Sequence, residues 1–223
     1  MGRYLEFIKT YRLLHRDSQK RIYFKDVCYF ITCKTEGNVS FFRERIFADL
    51  FVENLRLCKR LKGFFLFGWV LVYDHFHLLV QPDDEFNISE VMFSIKKQFS
   101  HNINIIFDFN KPYIPHEGAQ SIARLREKWG NKKYENGSLI KITKQFDRYI
   151  QKLKNRFHQK YPTDHPFPPF QWQKSFHDHI IRNDHDFDYH MEYIQYNPVK
   201  HGLPNGWPYV FTNPEYEDLL EEN

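Results

Sequence analysis

Two histidines flank one phenylalanine in the segment His75 to Gln81, HFHLLVQ. The segment alternates as a strand does, and on an extended chain residues i and i+2 share a face. His75 and His77 therefore project side by side, while Phe76, Leu78 and Val80 point to the other face. That geometry suits two cis ligands on one metal ion; ordinary surface histidines would satisfy the spacing equally well. A second candidate is Tyr193-Ile-Gln-Tyr-Asn197. On a helix, i and i+4 lie on one face, so a phenol and an amide oxygen would face the same way. Plain amphipathic packing of Tyr193 and a helix-terminal Asn197 is the competing account. Tyr189 lies on the face of Tyr193 one turn earlier, and Tyr196 is offset by about 60°. His177-Asp178-His179 is a second such histidine pair. It could join His75 and His77 in a four-histidine centre, which would make the protein a His-rich metallohydrolase. Alternatively, His179 is a structural residue on a strand.

The elements that must position these residues are legible from their periodicity. Asp26 to Lys34 is strand-like. Residues 42–61 place Phe47, Leu50, Phe51, Asn54, Leu55, Cys58 and Leu61 at helical spacing, and Gly63 ends the helix. Phe64 to Val72 is a continuous apolar run of strand length. With Tyr73-Asp74 as the turn, it forms a hairpin with the histidine strand. Asn87-Ile-Ser-Glu90 has capping-box spacing, and Ile88, Val91, Met92, Ile95 and Phe99 continue as an amphipathic helix. Residues 106–142 lose periodicity. A further helix follows, with Phe146, Tyr149, Ile150, Leu153 and Phe157 inward. Phe170 to Ile181 reads as another strand. A last helix, capped by Asp184 or Asp186, runs to Asn197 and is stopped by Pro198.

Omitting residues of about 102–169, the order is βαββαβ and then a helix. This predicts an α+β protein with a ferredoxin-like core and an antiparallel sheet. Its C-terminal helix carries Tyr193, and about 102–169 is a basic, largely helical insertion. We expect one domain over 1–223, with the core at about 20–105 and 170–208 and an acidic tail at 209–223.

The 223 residues carry a net charge of +4 and are 18% aromatic, with only 9 glycines. Collagenous, coiled-coil and disordered classes are excluded. The charge is uneven. Residues 121–160 hold twelve Lys/Arg and three acids, a net of +9, while the rest of the chain is at −5. A basic block in a mildly acidic protein points to a polyanion, by default nucleic acid, although a solvated helix face has the same signature. Lys144, Arg148, Lys152 and Arg156 are spaced by fours and form one candidate DNA-binding face. Three cysteines imply no disulfide framework. The absence of an apolar leader and of a membrane-length apolar run leads us to expect a cytoplasmic location and no membrane partner.

The combination is more specific than its parts. Phe-His-Asp-His-Ile-Ile-Arg-Asn (Phe176 to Asn183), following Trp172, precedes Tyr-x-x-x-Asn-Pro-Val-Lys-His-Gly-Leu (Tyr193 to Leu203). Together they resemble the REP-associated tyrosine transposases (RAYT-like proteins) of the HUH superfamily of single-strand DNA insertion-sequence transposases. His75-Phe76-His77 fits the motif for which that superfamily is named, and Lys96-Lys97-Gln98-Phe99 looks like the family's following helix. The resemblance covers roughly 20–105 and 170–208.

What the resemblance implies is a metal-dependent single-stranded DNA transposase or nickase acting at hairpin sequences. His75, His77 and Asn197 would hold a divalent metal, Mg²⁺ or Mn²⁺, and Tyr193 would be the nucleophile. Lys96, Lys97 and Arg182 would contact DNA. His177 and His179 are possible accessory residues, and the protein would be a monomer or homodimer. A non-catalytic hairpin-binding protein is the alternative. The residue chemistry is consistent with the enzyme. A free tyrosine titrates near 10, so only ~0.1% is phenolate at neutral pH, and a metal on the phosphate would offset that weakness. A phosphotyrosine conserves the phosphodiester energy, so joining needs no nucleotide cofactor, and the chain has no GxxxxGK[ST] loop. Two imidazoles and an amide suit Mn²⁺ better than Mg²⁺, and ligand softness alone would admit Zn²⁺.

Overall fold

A computed structural model of the chain describes residues 23, 24, 26–109 and 136–212, the side chains of 136–140 excepted. The described residues form a five-stranded antiparallel sheet in the order β4-β1-β3-β2-β5. The strands are β1 (Tyr29–Lys34), β2 (Phe65–Leu71), β3 (His75–Gln81), β4 (His177–Ile180) and β5 (Val210–Thr212). The helices are α1 (Arg45–Lys62), α2 (Ile88–Ile106), α3 (Asn136–Lys160) and α4 (Asp184–Lys200). The first four strands have the ferredoxin-like arrangement, and the β2–β3 hairpin and the Asn87–Glu90 capping box form as expected. Gly63 ends α1 in the left-handed conformation, at φ 65°, which a side chain would disfavour.

One face of the sheet is covered by α1 and α2, with α3 packed on both, around a large aromatic core that includes Phe42, Phe51, Phe76, Phe99 and Trp172. The inward residues of α3, Ile150, Leu153 and Phe157, are buried in that same core. Its C-terminal end is tied to α1 as well. The buried carboxylate of Glu44 caps α1 and accepts from Lys160 Nζ and Tyr161 Oη, each at 2.7 Å. Helix α4 crosses the opposite face over a smaller cluster built on Val70, Val72, Leu79, Ile194 and Leu203. It comes close because β2 carries Gly68 beneath it. A Cβ there would lie 3.1 Å from Met191 Sδ and 3.2 Å from Ile194 Cδ1.

Four expected boundaries are corrected. The strand over Phe170 to Ile181 is limited to β4. Upstream, Phe170 and Trp172 turn into the aromatic core, and only Trp172 bridges to Thr35. Helix α4 is capped by Asn183, whose Oδ1 accepts from Asp186 N at 2.9 Å. It also continues through Pro198 to Lys200. Proline near a helix end sacrifices one amide bond but does not stop the last turn, and His201 N still donates to Asn197 O at 3.1 Å. Finally, residues 210–212 pair with β2 as β5, and Tyr209 is buried with its Oη 2.7 Å from Asp49 Oδ1. The segment 209–212 is therefore structured; 213–223 lie outside the described residues.

Candidate active site

Alternation along β3 sends Phe76, Leu78 and Val80 into the main core and turns His75 and His77 toward α4. Both imidazoles are buried, at 5% and 4% exposure, with ring centroids 5.0 Å apart. Each is oriented by a neighbour. His75 Nδ1 lies 2.7 Å from Asp74 Oδ1, and His77 Nδ1 lies 2.8 Å from Thr32 Oγ1, the facing residue on β1. A histidine that donates Nδ1–H to such a partner presents the Nε2 lone pair, the arrangement that metal-ligating histidines need.

Helix α4 supplies the other wall. Tyr193 stands edge-on to His77, with ring centroids 5.2 Å apart, and edge-on to Phe30 at 5.6 Å. Phe30 also stacks on His77 at 5.2 Å. One turn along, Asn197 is 1% exposed. Among the described residues, its Oδ1, its Nδ2 and His77 Nε2 are buried without a hydrogen-bond partner. An unpaired buried polar atom costs about 1–3 kcal/mol, so each of these three atoms is open to a ligand that would pair it. Two imidazole nitrogens and an amide oxygen are a suitable donor set for a divalent cation, and the residues present fit one.

The electrostatics agree. Burial lowers the His75 pKa, with Asp74 acting in the opposite direction, and pushes that of His77 down to about 2, where His75, His201, Lys200 and Lys34 oppose protonation further. Both rings are therefore neutral at physiological pH, the form that ligates. Lys200 Nζ donates to Tyr193 Oη at 3.4 Å and lies 4.8 Å over its ring. The buried imidazole pair thus has a phenol against His77 and a lysine on that phenol.

Asp74, Thr32, Phe30, Lys200 and His201 were not identified from sequence. His201 packs on His75 with ring centroids 4.9 Å apart. Thr32 was visible as a same-face neighbour only once strand register was known. Lys200 and His201 were hidden by ending the helix at Pro198; continued, it brings Lys200 to Tyr193 two turns away.

The other expected residues are not all brought here. Lys96 Nζ donates to the carbonyls of Gln173 and Ser175, at 2.7 and 3.2 Å, and so holds the segment before β4. Lys97 is exposed on α2, across the sheet from Tyr193. Arg182 is exposed before α4, with its Nε 4.0 Å from Asp186. Lys144, Arg148, Lys152 and Arg156 are exposed on α3, in the helix layer on the far face, and Arg156 lies 3.9 Å from Asp49. Arg124, Arg126, Lys128, Lys132 and Lys133 lie outside the described residues. His177 is exposed and registers with Thr32 from the side opposite His77; His179 is engaged by Asp186 at 2.9 Å. The two histidine pairs thus belong to separate places in the fold. Tyr189 and Tyr196 are exposed at 58% and 67%.

No family model matches the chain. Over 41 residues it is 46% identical to a REP-associated tyrosine transposase of Escherichia coli, covering 17% of this chain and 25% of the relative. Over 41 residues it is 51% identical to a protein of Haemophilus influenzae that carries the same name provisionally, covering 17% and 23%. The matched stretch thus spans about a quarter of either curated relative's length. A solved REP-associated tyrosine transposase bound to a REP hairpin superposes with a TM-score of 0.49 at 20% identity, over 86% of this chain and 81% of that one. Over that matched stretch the chain is similar to the REP-associated tyrosine transposases, as expected from its motifs.

Proposed function

We propose that the protein is a transposase that cleaves and rejoins single-stranded DNA through Tyr193 in a metal-dependent reaction. The observation that carries this reading is the pairing of buried, unpartnered ligand atoms, His77 Nε2 and the Asn197 amide, with a phenol packed against the same imidazole. His75, His77 and Asn197 would hold the cation. Mn²⁺ or Mg²⁺ bound there would supply positive charge to a scissile phosphate. Tyr193 Oη attacks phosphorus, the bond to the 3′ oxygen breaks, and a 5′-phosphotyrosine and a free 3′-hydroxyl result. The phenol proton passes to solvent, and the departing oxygen takes one up. Lys200 holds the phenol oxygen and adds a cation where the phosphate must sit. Reversal by another 3′-hydroxyl rejoins the strand with no nucleotide consumed. Because the solved relative is bound to a REP hairpin, we take a hairpin-bearing strand as the substrate.

The test is a denaturing gel of protein mixed with hairpin-bearing single-stranded DNA and Mn²⁺. A covalent adduct is expected. Tyr193→Phe should abolish it, whereas Tyr189→Phe and Tyr196→Phe should retain it. An adduct that persists in Tyr193→Phe defeats the assignment. Specific hairpin binding with no adduct in the parent protein would leave the non-catalytic alternative.

A further inference from the structure

A second convergence of ligand groups lies outside the His75–His77 pair. His179 comes from β4, Asp186 from the first turn of α4, and His190 from the next turn. One potential ligand atom of each lies within 4.8 Å of the other two. The carboxylate is central. His179 Nε2 is 2.9 and 3.1 Å from its two oxygens, and His190 Nδ1 is 3.3 Å from one of them. The two imidazoles stack with centroids 4.8 Å apart, at 24°. All three side chains are half-buried or better, at 29, 19 and 12% exposure. They are also braced. Asp186 Oδ2 accepts from Arg182 N at 3.0 Å, and His190 Nδ1 lies 2.7 Å from the main-chain carbonyl of Asp186.

We propose that His179, Asp186 and His190 form a second metal site, distinct from the His75–His77 pair and suited to a Zn²⁺-class ion. Two imidazoles and one carboxylate with an open position are a known zinc donor set, and Mg²⁺ disfavours such nitrogen ligation. Ligands about 2.0–2.1 Å from a tetrahedral ion lie roughly 3.4 Å apart, so the 2.9 Å between His179 Nε2 and the Asp186 carboxylate needs only a small adjustment, and His190 must close from within the 4.8 Å that bounds the group. Nδ1–H of His190 donated to the carbonyl leaves Nε2 as its ligand atom, with the second-shell brace already made. His179 would ligate through Nε2 with its proton on Nδ1. Burial also lowers the His190 pKa, which favours the neutral ring.

Such an ion would pin β4 to the first two turns of the helix that carries Tyr193. Its position matters because Phe30 touches both His190, at 4.4 Å, and Tyr193. The site is thus placed to set the position of the nucleophile without touching DNA.

The experiment is zinc titration calorimetry on full-length, chelator-stripped, untagged protein, with Co²⁺ absorption as the spectroscopic probe. The parent should bind two Zn²⁺ per chain. His75→Ala/His77→Ala should still bind one, with the visible bands of low-coordinate Co²⁺, and millimolar Mg²⁺ should not displace it. Asp186→Asn keeps the size and the Arg182 contact, and should weaken that ion at least tenfold with the far-ultraviolet spectrum unchanged. One Zn²⁺ per chain in the parent, lost with His75 and His77, overturns the proposal. So does a second site whose affinity is unchanged in Asp186→Asn. Neither result depends on whether Tyr193 attacks DNA.

Discussion

The two faces of the sheet are built by alternate residues of the same strand, and they follow opposite rules. Phe76, Leu78 and Val80 enter a core in which side chains are packed on all sides; Phe76 meets Phe51 at 4.7 Å and Trp172 at 5.3 Å. His75 and His77 enter a cleft with unpaired polar atoms. The helix-layer face has polar defects as well, at Trp69 Nε1, Asn54 and Asn102. Asn54 bonds Ile95 O through Nδ2, and Asn102 accepts from Gln98, so each lacks a partner at one amide atom only. Asn197 lacks both. Large apolar side chains are concentrated on one face, and the other pairs a smaller apolar cluster with the buried histidines and Asn197.

Substitutions should separate the two faces. The largest effect belongs to the packed side. Phe76→Ala should cost about 3–5 kcal/mol, read as a fall in the denaturant midpoint; a loss below 1 kcal/mol would mean the faces are not so divided. On the cleft side, Lys200→Met should leave the midpoint unchanged. It should slow single-turnover adduct formation about tenfold to a hundredfold, the value of one charge-assisted hydrogen bond, with hairpin affinity nearly retained. An unchanged rate removes Lys200 from the site. Asn197→Leu should stabilise the metal-free protein by about 1 kcal/mol, because an apolar group replaces two unpaired polar atoms, while weakening Mn²⁺ binding by calorimetry. A destabilised variant would show that the amide is satisfied in solution.

The smallest effect tests the distance of the basic helix from the cleft. Changing Lys144, Arg148, Lys152 and Arg156 together to Ala should leave the single-turnover rate on bound DNA unaltered. If these residues grip backbone phosphates, the slope of log K against log salt should flatten by up to roughly 2.8 units, at about 0.7 per phosphate on a single strand. An unchanged slope means a solvated face. The ion pair of Arg156 with Asp49 already suggests that its share will be the least.

None of the helices among the described residues is long and apolar enough to cross a membrane. The buried Cys33 and Cys58 thiols are pushed up to about 12 by burial, so both stay protonated at neutral pH.

Local pattern determined much of this protein. Strand alternation put both histidines on one face of β3, capping chemistry began α2, and helical spacing put Tyr193 and Asn197 one turn apart, because each rests on a period of two or 3.6 residues. Tertiary structure decided what those residues meet. Register placed Thr32 against His77, and it separated His177 from that pair by a whole strand. Packing let α4 run through Pro198, bringing Lys200 back to the phenol. The apolar face of α3 carried its basic face to the far side of the sheet. The triad of His179, Asp186 and His190 combines a strand and a helix, and depends on the angle at which α4 leaves β4. Such contacts join residues through space, where sequence periodicity carries no information.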